Sequence, residues 1–279
     1  MVFEVLFSAD VLLKRKYYAF LLGAFFSLVS IMLSIYLFPS NFIVFSIAFI
    51  SLLLFPTISR LLELQKDIEK RGSRLDMNAF VREHKDILLV YILLFLGITA
   101  AFMAFSAIMP QAMMSHLFQN QADLAFSMYS SPDFIEFGDF FLIIGNNMRV
   151  IIVCCIAAYF FGAGMMLMIA WNASVWGTIF GTMIKNSSLL PGWNPLVYLL
   201  FMSIAILPYL VIEASGYLMA GISGGMVSKA LESDGVPSRR FEIIIKKSLV
   251  FLWLAFVLIF VAALVESQLT PAMVKMLFG

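Results

Sequence analysis

Six long stretches with almost no charged residues constrain the fold of this chain more than any other feature of the sequence. They cover residues 17–38, 41–59, 87–109, 140–184, 196–228 and 248–265. A transmembrane helix needs about 20 apolar residues. Backbone in lipid must satisfy its own hydrogen bonds, so spans are helices or closed barrels. Barrel strands alternate over segments of about 10 residues, which these unbroken runs do not. We therefore predict an all-α, polytopic membrane protein.

The composition supports this class and excludes others. Apolar residues make up 62% of the chain and charged residues 13%, against about 45–50% and about 25% in soluble domains. The net charge of +1 argues against a nucleic-acid binder. Cys154 and Cys155 are adjacent in an apolar run, without the spacing of a zinc site, so we interpret them as small apolar residues. We expect no metal and no cofactor.

Two of the stretches decide the number of crossings. At about 1.5 Å per residue, the 140–184 stretch is about twice as long as the hydrocarbon core is thick. Gly162 and Gly164 are the expected break, which gives two crossings. The 196–228 stretch contains Pro208, and we predict one crossing that is broken or kinked there. The total is about seven transmembrane helices.

The placement of lysine and arginine predicts the orientation. Residues 14–16, 60–85 and 229–247 hold three, seven and five basic residues, fifteen of the 18 in the chain. With seven crossings, all three clusters face the same side, which the positive-inside rule makes the cytoplasm. Residues 110–139 have no lysine or arginine and carry four acidic residues. We predict a multi-pass plasma-membrane protein with its N-terminus in the cytoplasm and its C-terminus outside.

The spacing of these segments suggests four units. Residues 1–59 form a two-helix N-terminal addition, 60–86 a cytoplasmic amphipathic connector, 87–265 the main membrane domain, and 266–279 a short tail. Within the connector, we expect a helix that ends at Gly72. Outside the membrane, Ser131-Pro132-Asp133 has the order of a helix start. With Phe134, Phe137 and Phe141 after it at helical spacing, it predicts a helix on the outer interface.

Polar residues inside the spans are the candidate functional residues, because charge in lipid is expensive. They form one candidate cluster: Asn146, Asn147, Arg149, Asn172 and Glu213. A buried carboxylate protonates or finds a donor, so we expect Glu213 to contact Arg149 or one of the asparagines. Three interpretations stay open: interhelical contacts that only hold the bundle together, a substrate or proton path, and a groove for a partner.

Small residues beside these polar groups predict close helix packing. Gly177 and Gly181 form a GxxxG pair. Gly216, Gly221 and Gly224 continue a stripe of small residues after Glu213. Together with the polar cluster, they place the packed centre of the bundle in the fourth to sixth spans.

These motifs carry a family resemblance. From about residue 81 to 265, the chain resembles the stage II sporulation protein M family of integral membrane proteins. A basic stretch leads into a span and an acidic external segment, followed by a phenylalanine-rich approach to Asn146-Asn147. Asn172 and Gly177 match the family's next motif, Asn-Gly with a further glycine, although Ala173 replaces the first glycine.

The most distinctive family motif, Pro-His-Gly-x-x-Glu, is matched in part. Pro208 and Glu213 hold their places, while Tyr209 and Leu210 replace the histidine and glycine, so a role that needs an imidazole at position 209 is not carried over. The resemblance implies a multi-span scaffold, because the family's namesake looks like a membrane anchor that recruits cell-wall hydrolases during septal membrane migration.

Three classes of function follow. We favour a non-enzymatic membrane scaffold that positions protein partners, with residues 110–139 as its contact surface and homo-oligomers as a further candidate assembly. A transporter with a polar site near Glu213 is the alternative, since the breaks near Gly162 and Pro208 resemble paired broken helices. An enzyme is disfavoured, because His84 and His116 fall on opposite sides of the membrane and catalytic motifs are lacking. The lipid bilayer is the expected surrounding, and no nucleic acid is expected.

Overall fold

The chain folds into a bundle of long helices. The computed structural model describes residues 9–71, 77–110, 140–162, 164–187, 194–234 and 238–278. The helices are α1 (Ala9–Lys14), α2 (Tyr17–Leu37), α3 (Phe42–Arg71), α4 (Met77–Ile108), α5 (Phe140–Phe161), α6 (Met165–Ser187), α7 (Pro195–Asp234), α8 (Arg239–Leu264) and α9 (Thr270–Phe278). A short 3-10 turn, Pro39–Asn41, joins α2 to α3, and a π-helical turn, Val265–Leu269, joins α8 to α9.

Seven of these helical segments are long and apolar enough to cross a membrane, which confirms the predicted all-α polytopic class. Within the described ranges the spans are Tyr17–Leu37, Pro39–Gln65, Lys85–Ile108, Phe140–Phe161, Met165–Lys185, Leu200–Glu232 and Phe241–Met273. The outward faces of these helices carry large apolar side chains, such as Met32 and Phe160, as lipid-facing helices do.

The two predicted interruptions turn out differently. At Gly162 the backbone has a φ of 57°, a left-handed conformation that glycine adopts without a Cβ clash, and α5 ends there before α6 begins. At Pro208, by contrast, α7 continues without a break. A break at Pro208 is therefore wrong, whereas a kink, the other predicted alternative, stays a prediction. A long helix tolerates an internal proline when neighbouring groups satisfy the freed carbonyl.

The helices pack as two groups with shared contacts. In the first group α4 lies between α2 and α6, and in the second α7 lies between α5 and α8. Helix α3 contacts both α6 and α7, and α6 also packs on α7. One buried apolar cluster runs from α2 to α8, and a second lies between α5, α7 and α8 around Ile151, Tyr217 and Ile259.

The first two spans belong to this bundle. A Cβ on Gly97 of α4 would lie 2.2 Å from the Phe20 carbonyl oxygen of α2, and one on Gly23 would lie 2.6 Å from the Leu94 carbonyl oxygen. The two backbones meet at glycines, as membrane helices do when small residues allow a close approach. Helix α2 therefore supplies a packed wall of the bundle.

The predicted connector and tail are parts of longer helices. The second span runs on without a break to Arg71, and Leu61 and Leu62 are fully buried, so this stretch is not a separate helix. At the other end, the last helix continues past residue 265 through the π-helical turn into α9. The last span therefore extends past residue 265, to Met273. The expected stop at Gly72 and the expected outer-interface helix, including Phe134 and Phe137, lie outside the described residues.

Ion pairs and hydrogen bonds show which helix ends lie together. Lys16 pairs with Asp86 at 2.5 Å, and Lys229 lies 3.9 Å from Glu63. These four residues stand at the starts of the first and third spans and the ends of the second and sixth. They therefore share one end of the bundle with most of the basic residues. That this end faces the cytoplasm stays a prediction from the charge distribution.

Candidate functional site

A buried chain of three polar side chains joins α7 to α5. Glu213, Tyr217 and Asn147 are 6%, 3% and 5% exposed. The Tyr217 hydroxyl lies within hydrogen-bonding distance of Glu213 Oε1, and it donates across the helix interface to Asn147 Oδ1 at 3.0 Å. Tyr217 is thus the link between the carboxyl group and the amide.

Helical geometry and close packing place these three groups together. Glu213 and Tyr217 are four residues apart, so they lie on the same face of α7. Helix α5 approaches that face closely: a Cβ on Gly224 would lie 2.2 Å from the Cys155 carbonyl oxygen. About two turns further along, Asn147 of α5 meets Tyr217. The small residues after Glu213 therefore position the polar chain by letting the backbones meet.

A second buried carboxyl group lies beside this chain. Glu266 is 9% exposed, and its carboxyl group is close enough to that of Glu213 for the two groups to interact electrostatically. It belongs to the π-helical turn, a local widening that is frequent at functional sites. One turn later, Thr270 contacts the Ala205 carbonyl oxygen at 3.4 Å, which fixes this turn against α7. The candidate site thus contains Glu213, Tyr217, Asn147 and Glu266.

The other members of the predicted cluster lie elsewhere. Arg149 and Asn146 are on the exposed face of α5. Asn172 donates from Nδ2 to the Met168 carbonyl oxygen at 2.8 Å within its own helix. The expectation that Glu213 directly contacts Arg149 or an asparagine is therefore wrong. Its direct partner is Tyr217, and Asn147 is reached only through the tyrosine.

The small residues lie at helix contacts. A Cβ on Gly177 would lie 2.5 Å from the Thr99 carbonyl oxygen of α4, and one on Gly181 would lie 1.9 Å from Ser106 Oγ. Gly216 faces Ile259 of α8, and Gly221 faces Met165 of α6. Gly164 sits in the turn between α5 and α6 and is hydrogen-bonded from its N–H to the Phe161 carbonyl oxygen at 3.2 Å.

Sequence reasoning missed Tyr217 and Glu266. Tyrosine is common in apolar runs, so the residue type alone indicates little. Its position four residues after Glu213, however, places it on the same face of a helix as the carboxyl group. Glu266 was assigned to a tail because the uncharged stretch ends at Val265. The run of apolar residues that precedes it is long enough for a helix to carry Glu266 into the bundle.

The fold and the site define an integral membrane protein of the polytopic helical class with a buried polar cluster in its interior. A family model described as "Stage II sporulation protein M" matches residues 90–271. That is more than half of the chain, which therefore belongs to the stage II sporulation protein M family. No curated protein and no solved structure matches the chain at a significant level.

The family match covers the whole candidate site. Asn147, Glu213, Tyr217 and Glu266 all lie within residues 90–271. The match confirms the predicted family and extends the boundary beyond residue 265, in agreement with the length of the last span. It begins inside α4, so the α2 and α3 helices precede it.

Proposed function

We propose that this protein is a non-enzymatic membrane scaffold that holds a partner membrane protein against α5. One observation carries the proposal: Arg149 lies within a membrane-spanning helix, and its side chain is exposed. No hydrogen bond or ion pair joins Arg149 to any other residue in the described part of the chain. A charge in this position is expensive in lipid and marks a functional site by default.

The surroundings of Arg149 have the pattern of a helix-docking surface. We call this face the α5 stripe. It consists of the half-buried Gly145 and the exposed residues Leu142, Asn146, Arg149, Ile152, Val153, Ile156 and Phe160. Leu142, Arg149 and Ile156 are seven residues apart, as are Asn146, Val153 and Phe160. A seven-residue repeat is the spacing with which one helix packs along another.

The α5 stripe is also open to a close approach. A Cβ on Gly145 would meet nothing within 4 Å, and small residues at such positions let membrane helices approach. Only 17% of the apolar core of this span is buried, while the other six spans reach 33–61%. Helix α5 thus has more free surface than any other described span.

Charge complementarity favours a partner transmembrane helix with an aspartate or glutamate at the depth of Arg149. A guanidinium pairs with a carboxylate through two hydrogen bonds. A second copy of this chain is a poor source, since Glu213 and Glu266, the carboxyl groups deep in the described spans, are buried. Asn146, one turn from Arg149, adds a side-chain amide for interhelical hydrogen bonding.

Site-specific photocrosslinking tests this proposal in the cells that carry the chain. A photoreactive residue at Ile156 should give a discrete product with another membrane protein, and the product should disappear in Arg149→Gln. The same residue at Met32, an exposed position on α2, serves as the control. Crosslinks to lipid alone at both positions, or a product indifferent to Arg149→Gln, would contradict the scaffold.

Transport is a second candidate, favoured by the buried Glu213, Tyr217 and Asn147 chain. Buried ionisable groups in membrane bundles are typical of ion and proton paths. Purified protein in liposomes separates the two candidates. Solute or proton flux that disappears in Glu213→Gln, with the protein still folded, would favour transport over a pure scaffold.

A further inference from the structure

We propose that Glu213, Tyr217 and Asn147 form a reversible proton-binding site, with the proton carried by the Glu213 carboxyl group. The proposal concerns a ligand of the bundle interior and requires neither of the functions proposed above. It rests on the geometry of the three side chains, their burial and one donor atom without a partner.

The Tyr217 hydroxyl cannot donate to both of its neighbours at once. The Tyr217 hydroxyl has one hydrogen and stands between two acceptors, Glu213 Oε1 and Asn147 Oδ1. If Glu213 is a carboxylate, this hydrogen serves Glu213 and leaves the Asn147 oxygen without a donor. If Glu213 is a carboxylic acid, Glu213 donates to Tyr217 and Tyr217 donates to Asn147. With Asn147 Oδ1 facing the hydroxyl, the protonated form therefore supplies a hydrogen to both contacts of Tyr217.

The surroundings favour the same form. The groups that face the Glu213–Tyr217 pair are Cys154 of α5 and Glu266 of the π-helical turn, and neither brings a positive charge. Of the other elements packed on α7 in the described ranges, α3, α4 and α8 carry their charged side chains at the opposite end of the bundle, and Lys185 of α6 donates to the Met109 carbonyl oxygen. Arg149, the nearest cation on α5, is exposed on another face. An isolated buried carboxylate is costly, and a proton relieves that cost.

A second observation points to a ligand. Asn147 Nδ2 is buried and has no hydrogen-bond partner in the described part of the chain. This donor belongs to the amide that ends the hydrogen-bonded chain. Buried donors of this kind are normally satisfied, and the oxygen of a water molecule, the carrier of an exchanging proton, fits it. A bare metal cation does not fit, because an N–H group repels it, and the described residues hold no group of three His, Cys, Asp or Glu side chains that could bind one.

The position of the site indicates the side from which the proton arrives. Glu213 is about 24 Å along α7 from Lys229, at about 1.5 Å per residue, in a hydrocarbon core about 30 Å thick. Glu266 and the Thr270–Ala205 contact lie at the same end of the bundle as Glu213. The site is therefore nearer the end opposite the basic residues. Protonation takes one proton from water at that end and neutralises the Glu213 carboxylate.

Infrared spectroscopy of the full chain in membranes tests this site. The carboxylic acid C=O band of wild type, minus that of Glu213→Gln, should be present at neutral pH, fade at alkaline pH and shift in deuterated water. Asn147→Leu should weaken this difference at neutral pH, because Tyr217 is then free to donate to the carboxylate. A purely structural role of Asn147 would not change the band at equal folded content, measured by size-exclusion chromatography.

Three results of this measurement would contradict the proposed site. No difference band at neutral pH would mean that Glu213 is ionised. A band that never exchanges its hydrogen for deuterium would mean a permanently closed structural acid. A band set by sodium concentration at constant pH would assign the site to a metal cation.

The difference band between wild type and Glu213→Gln, measured in a Glu266→Gln background, should be smaller at alkaline pH, because a neighbouring negative charge has been removed.

Discussion

The Tyr217 hydroxyl donates to Asn147 Oδ1 at 3.0 Å, from the sixth span to the fourth. In the sequence, the fifth span lies between these two helices. It is also the only hydrogen bond in the described part of the chain by which Glu213 is connected, through Tyr217, to another helix.

Tyr217→Phe should destabilise the bundle. The substitution removes the hydroxyl and leaves Glu213 and Asn147 buried without it. A buried polar group that loses its partner costs about 1–3 kcal/mol, so the thermal unfolding temperature in detergent should fall clearly. Tyr36→Phe is the matched control, since Tyr36 is 84% exposed and should change little. Equal unfolding temperatures for Tyr217→Phe and wild type would show that the polar chain contributes nothing to stability.

Gly181→Ala should also destabilise the protein, for a steric reason. The new Cβ would lie 1.9 Å from Ser106 Oγ and 2.4 Å from the Met103 carbonyl oxygen, so α4 and α6 must move apart. Overpacking of this kind costs about 1–3 kcal/mol. Gly145→Ala is the control because its Cβ enters open space, and alanine favours a helix by about 0.5–1 kcal/mol over glycine. If both variants unfold at the same temperature, the close packing of α4 and α6 is not as described.

The topology can be tested by cysteine accessibility. Gln121 and Gly235, which lie outside the described residues, fall on opposite sides of the membrane in the predicted orientation. A cysteine at position 121 should react with an impermeant reagent from outside, and one at 235 only after the membrane is permeabilised. The charge distribution predicts this result. The reverse labelling pattern would show that the protein has the opposite orientation in the membrane.

Hydropathy and charge were enough to predict the fold class and the number of spans. These properties depend on long runs of residues, so single contacts cannot overturn them. The break at Gly162 was predictable for a similar reason, since a run twice the membrane thickness must turn at its most permissive residue. The α7 helix through Pro208 was not, because whether a proline interrupts a helix depends on its neighbours in the bundle.

The candidate site was predictable only in part. The burial of Glu213 and its association with Asn147 follow from the cost of charge in lipid. The sequence could not specify which donor would reach it, because the rotation of α5 about its axis decides whether Asn147 or Arg149 faces α7. The structure turns Asn147 inward and Arg149 outward. That rotation creates both the buried polar chain and the exposed α5 stripe.

We expect the α5 stripe to bind a transmembrane helix through Arg149. Energy transfer in liposomes measures this directly, between the labelled protein and a leucine-rich membrane-spanning peptide with one glutamate at the depth of Arg149. Interhelical polar contacts are worth about 0.6–2 kcal/mol in membranes, so the glutamate peptide should bind about three- to thirtyfold more tightly than its glutamine counterpart. Arg149→Gln should abolish this preference, whereas Arg15→Gln, which removes the same charge outside the spans, should retain it. Equal binding of the two peptides to wild type would contradict the claim.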